Sequence, residues 1–204
     1  MKEIRNKSQI TSFYVGVINN GKLLVASDKR CIIPVDRKFL VYDDTDKVFR
    51  LNENVILTVA GIFNDKELFI APFLNGEIIT NIDDSCDIIQ EYLIGLQATN
   101  VAINSRSYLL GGYDKEGNLS IINVSYEDSD NTIYVDKQSG VDNGLMIMYL
   151  PDILLPEKES LENTLEKMLI DNKDKIDEAV ISFINMISEK SRLVDSNYSY
   201  IYLS

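Results

Sequence analysis

Apolar and polar positions follow a strand-like pattern through the first sixty residues, shift to helical spacing, and repeat that shift once more before the C-terminus. Apolar, β-branched-rich runs flank Asn19-Asn20-Gly21, a turn sequence that marks a β-hairpin. A three-residue loop places Ser12 opposite Asp28, whereas a two-residue Asn20-Gly21 turn places it opposite Lys29. Phe39 to Tyr42 reads as a short strand and Asp43 to Asp46 as an acidic turn. Lys47 to Leu51 alternates, Asn52-Glu53-Asn54 turns, and Val55 to Gly61 is almost wholly apolar, as a strand covered on both faces is.

Helical spacing begins after Asn64, a candidate cap for a segment from Asp65 to about Leu74 that Pro72 ends early. A stronger helix lies within residues 77–98, with Asp83, Asp84 and Ser85 as caps and Ile88, Ile89, Tyr92, Leu93 and Leu96 on one face. Ser107 to Tyr113, Leu119 to Ser125 and Thr132 to Val135 return to strand, with turns at Asp114 to Gly117 and Glu127 to Asp130. Gln138-Ser139-Gly140 opens a loop, residues 141–150 suggest a short helix, and Pro151 and Pro156 bound an irregular connection. Helices near Ser160 to Ile170 and Lys173 to Lys190 follow, then a turn at Asp195-Ser196 and a strand from Ser199 to Leu203. This order predicts an α+β fold: a four-layer αββα sandwich, two antiparallel sheets between helix pairs. One domain spans residues 1–204, with 1–10 a short polar leader.

Composition narrows the chemistry. A net charge of −12 argues against nucleic acid, whose phosphates demand a basic face. The longest apolar runs fall short of a membrane span and the first residues lack the apolar core of a secretory signal, so a cytoplasmic protein is expected. Cys31 and Cys86 have no CxxC spacing and read as buried small hydrophobes, not a disulfide or zinc site. Histidine is absent, which removes Ser-His-Asp and Cys-His catalysis and imidazole-ligated metal. No cofactor is implied. Hydrolysis here needs another base: a lysine, a carboxylate or a free α-amine, whose ordinary pKa is about 8. Either hairpin register brings a hydroxyl, a carboxylate and two cations to one end.

Several stretches together resemble the proteasome subunits: Thr11-Ser-Phe-Tyr-Val-Gly-Val, Asn20-Gly-Lys-Leu-Leu-Val-Ala-Ser-Asp-Lys-Arg30, Lys47-Val-Phe-Arg-Leu, Thr58-Val-Ala-Gly61 with Asp65, and Leu109-Leu-Gly-Gly-Tyr-Asp-Lys-Glu-Gly117. Leu161-Glu-Asn-Thr-Leu-Glu, Asp177-Glu-Ala and Asp195 before a closing strand extend the likeness to about residues 11–203. The resemblance implies the β-type, N-terminal-nucleophile hydrolase fold and a homo-oligomer, with a ring as one form of it. In that family an N-terminal threonine attacks a peptide carbonyl, an aspartate orients a lysine, and a glycine N–H stabilises the oxyanion. The counterparts here are Ser12 by ungapped counting, or Thr11 with a one-residue bulge, then Asp28 and Gly61. Ser139 and Asp195 resemble the supporting serine and aspartate. Tyr198 stands where a second serine is expected, with Ser196 or Ser199 nearby.

Two departures follow from the same comparison. Asp44 aligns with the family lysine, with Lys38 a substitute only if the loop folds back, and a carboxylate there raises the pKa of a nearby amine. Ile10 and Thr11 stand where self-cleaving members usually carry glycine. The expectation is therefore a divergent proteasome-like protein that forms homo-oligomers, its peptidase activity doubtful. The alternative is an active peptidase or amidase of this class, acting on peptides through Ser12 or Thr11.

Overall fold

A computed structural model describes residues 9–11, 13–35, 38–63, 69–76, 78–99, 104–139 and 145–203. Strand β1 (Gln9–Thr11) precedes the hairpin of β2 (Tyr14–Asn19) and β3 (Lys22–Asp28). A ribbon of β4 (Cys31–Val35) and β5 (Lys38–Tyr42) follows, then β6 (Val48–Arg50) and β7 (Val55–Phe63). Helix α1 (Ile82–Ala98) leads to β8 (Arg106–Tyr113), β9 (Leu119–Glu127), β10 (Thr132–Ser139) and β11 (Leu145–Tyr149). Helices α2 (Lys158–Asp171) and α3 (Ile176–Lys190) precede the closing strand β12 (Tyr198–Leu203).

Two antiparallel sheets form. The larger runs β10-β9-β8-β7-β1-β4-β5, with β6 also on β7, and the smaller runs β11-β2-β3-β12. Phe13, Val15, Leu24, Leu165, Phe183 and Ile184 fill the space between the smaller sheet and α2–α3. Tyr14, Ile18, Val25, Ile56, Leu109 and Ile121 fill the space between the sheets. Leu57, Phe63, Ile89, Leu93 and Tyr108 fill the space under α1. These three cores separate four layers, the predicted α+β sandwich. Among the described residues, no helix is long and apolar enough to cross a membrane.

The hairpin has the two-residue turn. Tyr14 pairs with Ser27 and Asn19 with Lys22, and Asn20 and Gly21 both take positive φ, +51° and +68°. That geometry matches the strand twist, and Asn and Gly tolerate it best. Cys31 and Cys86 are buried and in no disulfide, and burial pushes the Cys86 thiol up to about 11.

Four sequence expectations change. Residues 145–149 are a strand, not part of a helix: Ile147 and Met148 face different cores, and an apolar run buried on both faces carries no period that separates strand from helix. The cap of α1 is Asn81, whose side chain accepts from the Asp84 N–H, in place of Asp83, Asp84 or Ser85. Ser139 ends β10 and does not open a loop. Of the helix expected from Asp65 to Leu74, residues 64–68 lie outside the described residues, and Ala71–Phe73 is a 3-10 turn containing Pro72. Among the described residues, the layer over the larger sheet holds α1 and that turn.

Candidate active site

The site forms where the chain passes from one sheet to the other. Gln9–Thr11 belongs to the larger sheet and Tyr14–Asn19 to the smaller, so the chain changes sheets between Thr11 and Tyr14. Thr11 lies opposite Gly61 of β7 and Cys31 of β4. Ser12 lies outside the described residues. Just beyond it, Ser27 Oγ donates to the Phe13 carbonyl at 2.7 Å and pins the start of β2.

One edge of β7 carries two short strands end to end. β1 pairs with Gly61–Phe63 and β6 with Ile56–Thr58, leaving Val59 and Ala60 between them. Lys47 immediately precedes β6 at this gap. Gly61 has φ +112°, and a Cβ there would lie 2.5 Å from the Arg106 Cα. Only glycine fits that position without moving β8.

Lys47 reaches across to the end of β3. Its Nζ donates to Asp28 Oδ1 at 2.6 Å and to the Arg30 carbonyl at 3.0 Å. Both side chains are fully buried, at 0% exposure. The other carboxylate oxygen, Asp28 Oδ2, accepts the backbone N–H of Arg30 at 3.1 Å and of Asp195 at 3.3 Å. Burial pushes the Asp28 carboxyl up from its ordinary value, while the Lys47 ammonium and the two N–H groups oppose that rise. This constellation overturns the reading of Asp44. Asp44 is a surface residue with a 95% exposed side chain, bonded to Lys29 at 3.3 Å. The cation that meets Asp28 is Lys47.

Lys47 escaped sequence counting because the β4–β5 ribbon is inserted between Asp28 and the strand that Lys47 begins. A signal was available. Lys47 occupies the same alternation phase as Phe49 and Leu51, both packed under α1, and a lysine in an apolar phase needs a buried partner. Lys38 lies in β5 at the outer edge of the larger sheet, and its side chain is outside what is described.

Asp195 is brought in by the C-terminal turn. Arg30 binds that turn, donating through Nη1 to the Arg192 carbonyl at 2.6 Å and approaching Asp195 Oδ1 through Nη2 at 3.7 Å. The same guanidinium grips Asp43 with Nε and Nη2, at 2.7 and 3.1 Å. Asp195 Oδ2 is buried with no hydrogen-bond partner among the described residues.

Ser139 is not part of this cluster. It lies opposite Ser120, which lies opposite Gly112, which lies opposite Val55 at the far end of β7 from Gly61. That separation is roughly 20 Å along the strand direction alone. The chain that does approach the crossing is the end of β11, where Tyr149 lies opposite Tyr14. Leu150 and Pro151 come next, and neither carries a hydroxyl. Tyr198 lies opposite Asp28 and Ser199 opposite Ser27. Ser199 Oγ is buried without a partner among the described residues, and Ser196 lines a surface depression of about 530 Å³ with Lys29, Asp43 and Asp44.

Comparison with known proteins matches no family model, and no curated protein matches in sequence. Solved structures do match. Eukaryotic HslV from Trypanosoma brucei superposes with a TM-score of 0.55 at 9% identity, covering 95% of this chain and 99% of that one. Anbu, an ancestral β-subunit from Yersinia bercovieri, gives 0.60 at 12%, covering 94% and 81%. Thiobacillus denitrificans BPH, in complex with epoxomicin, gives 0.58 at 8%, covering 95% and 98%. The chain has the proteasome-type N-terminal-nucleophile hydrolase fold. At these identities the likeness is one of fold. Within this proteasome-like fold, Asp28, Lys47, Gly61 and Asp195 converge at the sheet crossing, and Ser139 does not.

Proposed function

We propose that the chain is an N-terminal-nucleophile peptidase that cuts its own Thr11–Ser12 bond and then uses Ser12. The supporting observation is the buried Lys47–Asp28 pair beside the gap where β1 ends opposite Gly61. Thr11 is paired as a strand residue on both sides, which favours Ser12 as the group that attacks and Thr11 as the residue whose carbonyl is attacked.

Self-cleavage requires Ser12 Oγ to add to the Thr11 carbonyl carbon. The hydroxyl proton passes to the Ser12 nitrogen as the C–N bond breaks, leaving an ester between Thr11 and Ser12 Oγ. Water then opens the ester, returning the hydroxyl to Ser12 and a carboxylate to Thr11. The product has a free α-amine beside its own hydroxyl, a base with an ordinary pKa near about 8. The Lys47 ammonium favours the neutral form of that amine, and Asp195 Oδ2 is an acceptor for the protonated form. The substrates would be extended peptides.

Intact mass of the purified chain tests this. The wild type should lose Met1 to Thr11, and Ser12→Ala should keep them. A folded wild type that retains these residues overturns the peptidase and supports the other reading, an assembly without this activity, which Leu150 and Pro151 beside the crossing favour. Both readings include a homo-oligomer. Leu40, Val41 and Tyr42 on the outer strand β5 are 43%, 51% and 49% exposed, a surface suited to burial between copies. Light scattering at micromolar concentration should show more than a monomer.

A further inference from the structure

Near the site, β2 is tied to the larger sheet in two ways. One is the chain itself, which runs from Thr11, paired with Gly61 and Cys31, through Ser12 to Tyr14. The other is the Tyr14 side chain. Its hydroxyl donates to Asn123 Oδ1 of β9 at 2.6 Å and lies 2.6 Å from Ser107 Oγ of β8. Ser107 Oγ in turn donates to the same Asn123 oxygen at 2.7 Å. The other polar residue of β2, Asn19, sits at the turn end of the hairpin, opposite Lys22. The connection from Asp28 to Cys31 and the Lys47–Asp28 pair also bridge the sheets, but both reach β3.

The Tyr14 link ends close to both halves of the site. Ser12 lies two residues before Tyr14. Ser107 lies opposite Ala60, and its neighbour Arg106 lies opposite Gly61. The Tyr14 ring is held in place, because it is 1% exposed and Tyr149 packs on it with ring centroids 5.6 Å apart. Burial pushes the Tyr14 phenol up from its ordinary value, so it stays a donor at neutral pH. Apolar contacts between the sheets are non-directional and permit small slides, whereas a hydrogen bond weakens steeply when misaligned. While the chain is whole, it and Tyr14 hold the same spacing. Cutting between Thr11 and Ser12 removes the first tie and leaves the second.

We infer that Tyr14 is a positioning residue, whose hydroxyl sets the distance between Ser12 and Gly61 once the Thr11–Ser12 bond is gone. The inference rests on the proposed peptidase reading for the cut itself. Tyr14→Phe isolates the link. Two hydroxyl protons serve three short contacts, so without the phenol oxygen Ser107 still donates to Asn123 and neither is left unpaired.

The test adds Tyr14→Phe to the full chain in two backgrounds: the wild type, which cuts, and Ser12→Ala, which keeps Met1 to Thr11. Amide exchange across residues 13–17 should rise about tenfold in the cut background and less than about threefold in the uncut one. Leader loss, read by intact mass, should stay within about threefold of the wild-type rate. The turnover probe is a peptide of residues 5–11 coupled through Thr11 to aminocoumarin. Its kcat should fall about tenfold with KM within about threefold, because small displacements of an attacking group act on the chemical step. Tyr108→Phe, which removes a buried phenol oxygen on the other face of β8, should stay within about threefold in every readout. Equal acceleration in both backgrounds, a wild-type kcat, a loss carried by KM, or the same losses in Tyr108→Phe each overturn the inference. If Tyr14→Phe impairs folding, Ser107→Ala with Asn123→Leu breaks the link from its other end and carries the same expectations. An uncut wild type sinks the peptidase reading and this inference with it. A wild type that cuts, beside an unaffected Tyr14→Phe, overturns this inference alone.

Discussion

Two lysine–aspartate pairs sit at the same end of the same hairpin, and they teach opposite lessons. Lys47 and Asp28 are fully buried and in contact at 2.6 Å. Lys29 reaches Asp44 at 3.3 Å and Asp46 at 3.1 Å, where the aspartate side chains are 95% and 68% exposed. Water screens the second set, and each charge there has an alternative partner in solvent. The first pair has left water entirely, so each member depends on the other. Alignment with the family put Asp44 at the lysine position, but the buried contact with Asp28 belongs to Lys47.

The largest test of that contrast is Lys47→Met. It leaves the Asp28 carboxylate buried and unpaired, and should cost about 3–5 kcal/mol of stability in urea unfolding. Asp28→Leu with Lys47→Met removes both charges and should recover most of that loss while leaving Met1 to Thr11 uncut. A double variant that still processes would break the link between the pair and the chemistry. Gly61→Ala should cost roughly 2 kcal/mol, from a positive φ and a Cβ driven against β8, and should slow leader loss in parallel. Wild-type stability there would show that β8 moves freely.

Arg30→Gln should have a smaller effect, about 1 kcal/mol, because part of its environment is solvent. Its pH dependence is the sharper readout. Hydrogen bonding from Arg30 holds the Asp43 carboxyl below its ordinary value. A carboxylate with a depressed folded pKa contributes stability above its unfolded value near about 4, and loses it as pH falls through the folded value. The difference between wild type and Arg30→Gln should therefore shrink below about pH 4. Lys29→Ala should be the mildest, below about 1 kcal/mol, and insensitive to whether the leader is cut. A loss equal to that of Lys47→Met would erase the contrast.

The parts of the site that could be read in advance are those set by local rules. Asn20-Gly21 dictates a tight turn, and the strand that leaves it ends at Asp28. Gly61 closes an apolar run. Asp195 precedes the final strand. Lys47 was obscured by the β4–β5 ribbon, whose length follows no local rule. Ser139 was placed by a Gln-Ser-Gly pattern that resembled a supporting serine, but cross-strand pairing continues through Ser139 and carries it to the far end of the sheet. β11 was taken for helix because a run buried on both faces lacks any period to read.

Sequence alone determined the layers, because two-residue and helical periods of apolar positions say which elements must bury which faces. It also determined the hairpin, because only a few residues accept a turn with two positive φ angles. Only the tertiary structure decided which lysine meets Asp28, that Ser139 stays away, and that Gln9–Thr11 crosses into the other sheet between β4 and β7. Each of these is a contact between segments separated by loops of unconstrained length, and such contacts are settled by the packing of the whole chain.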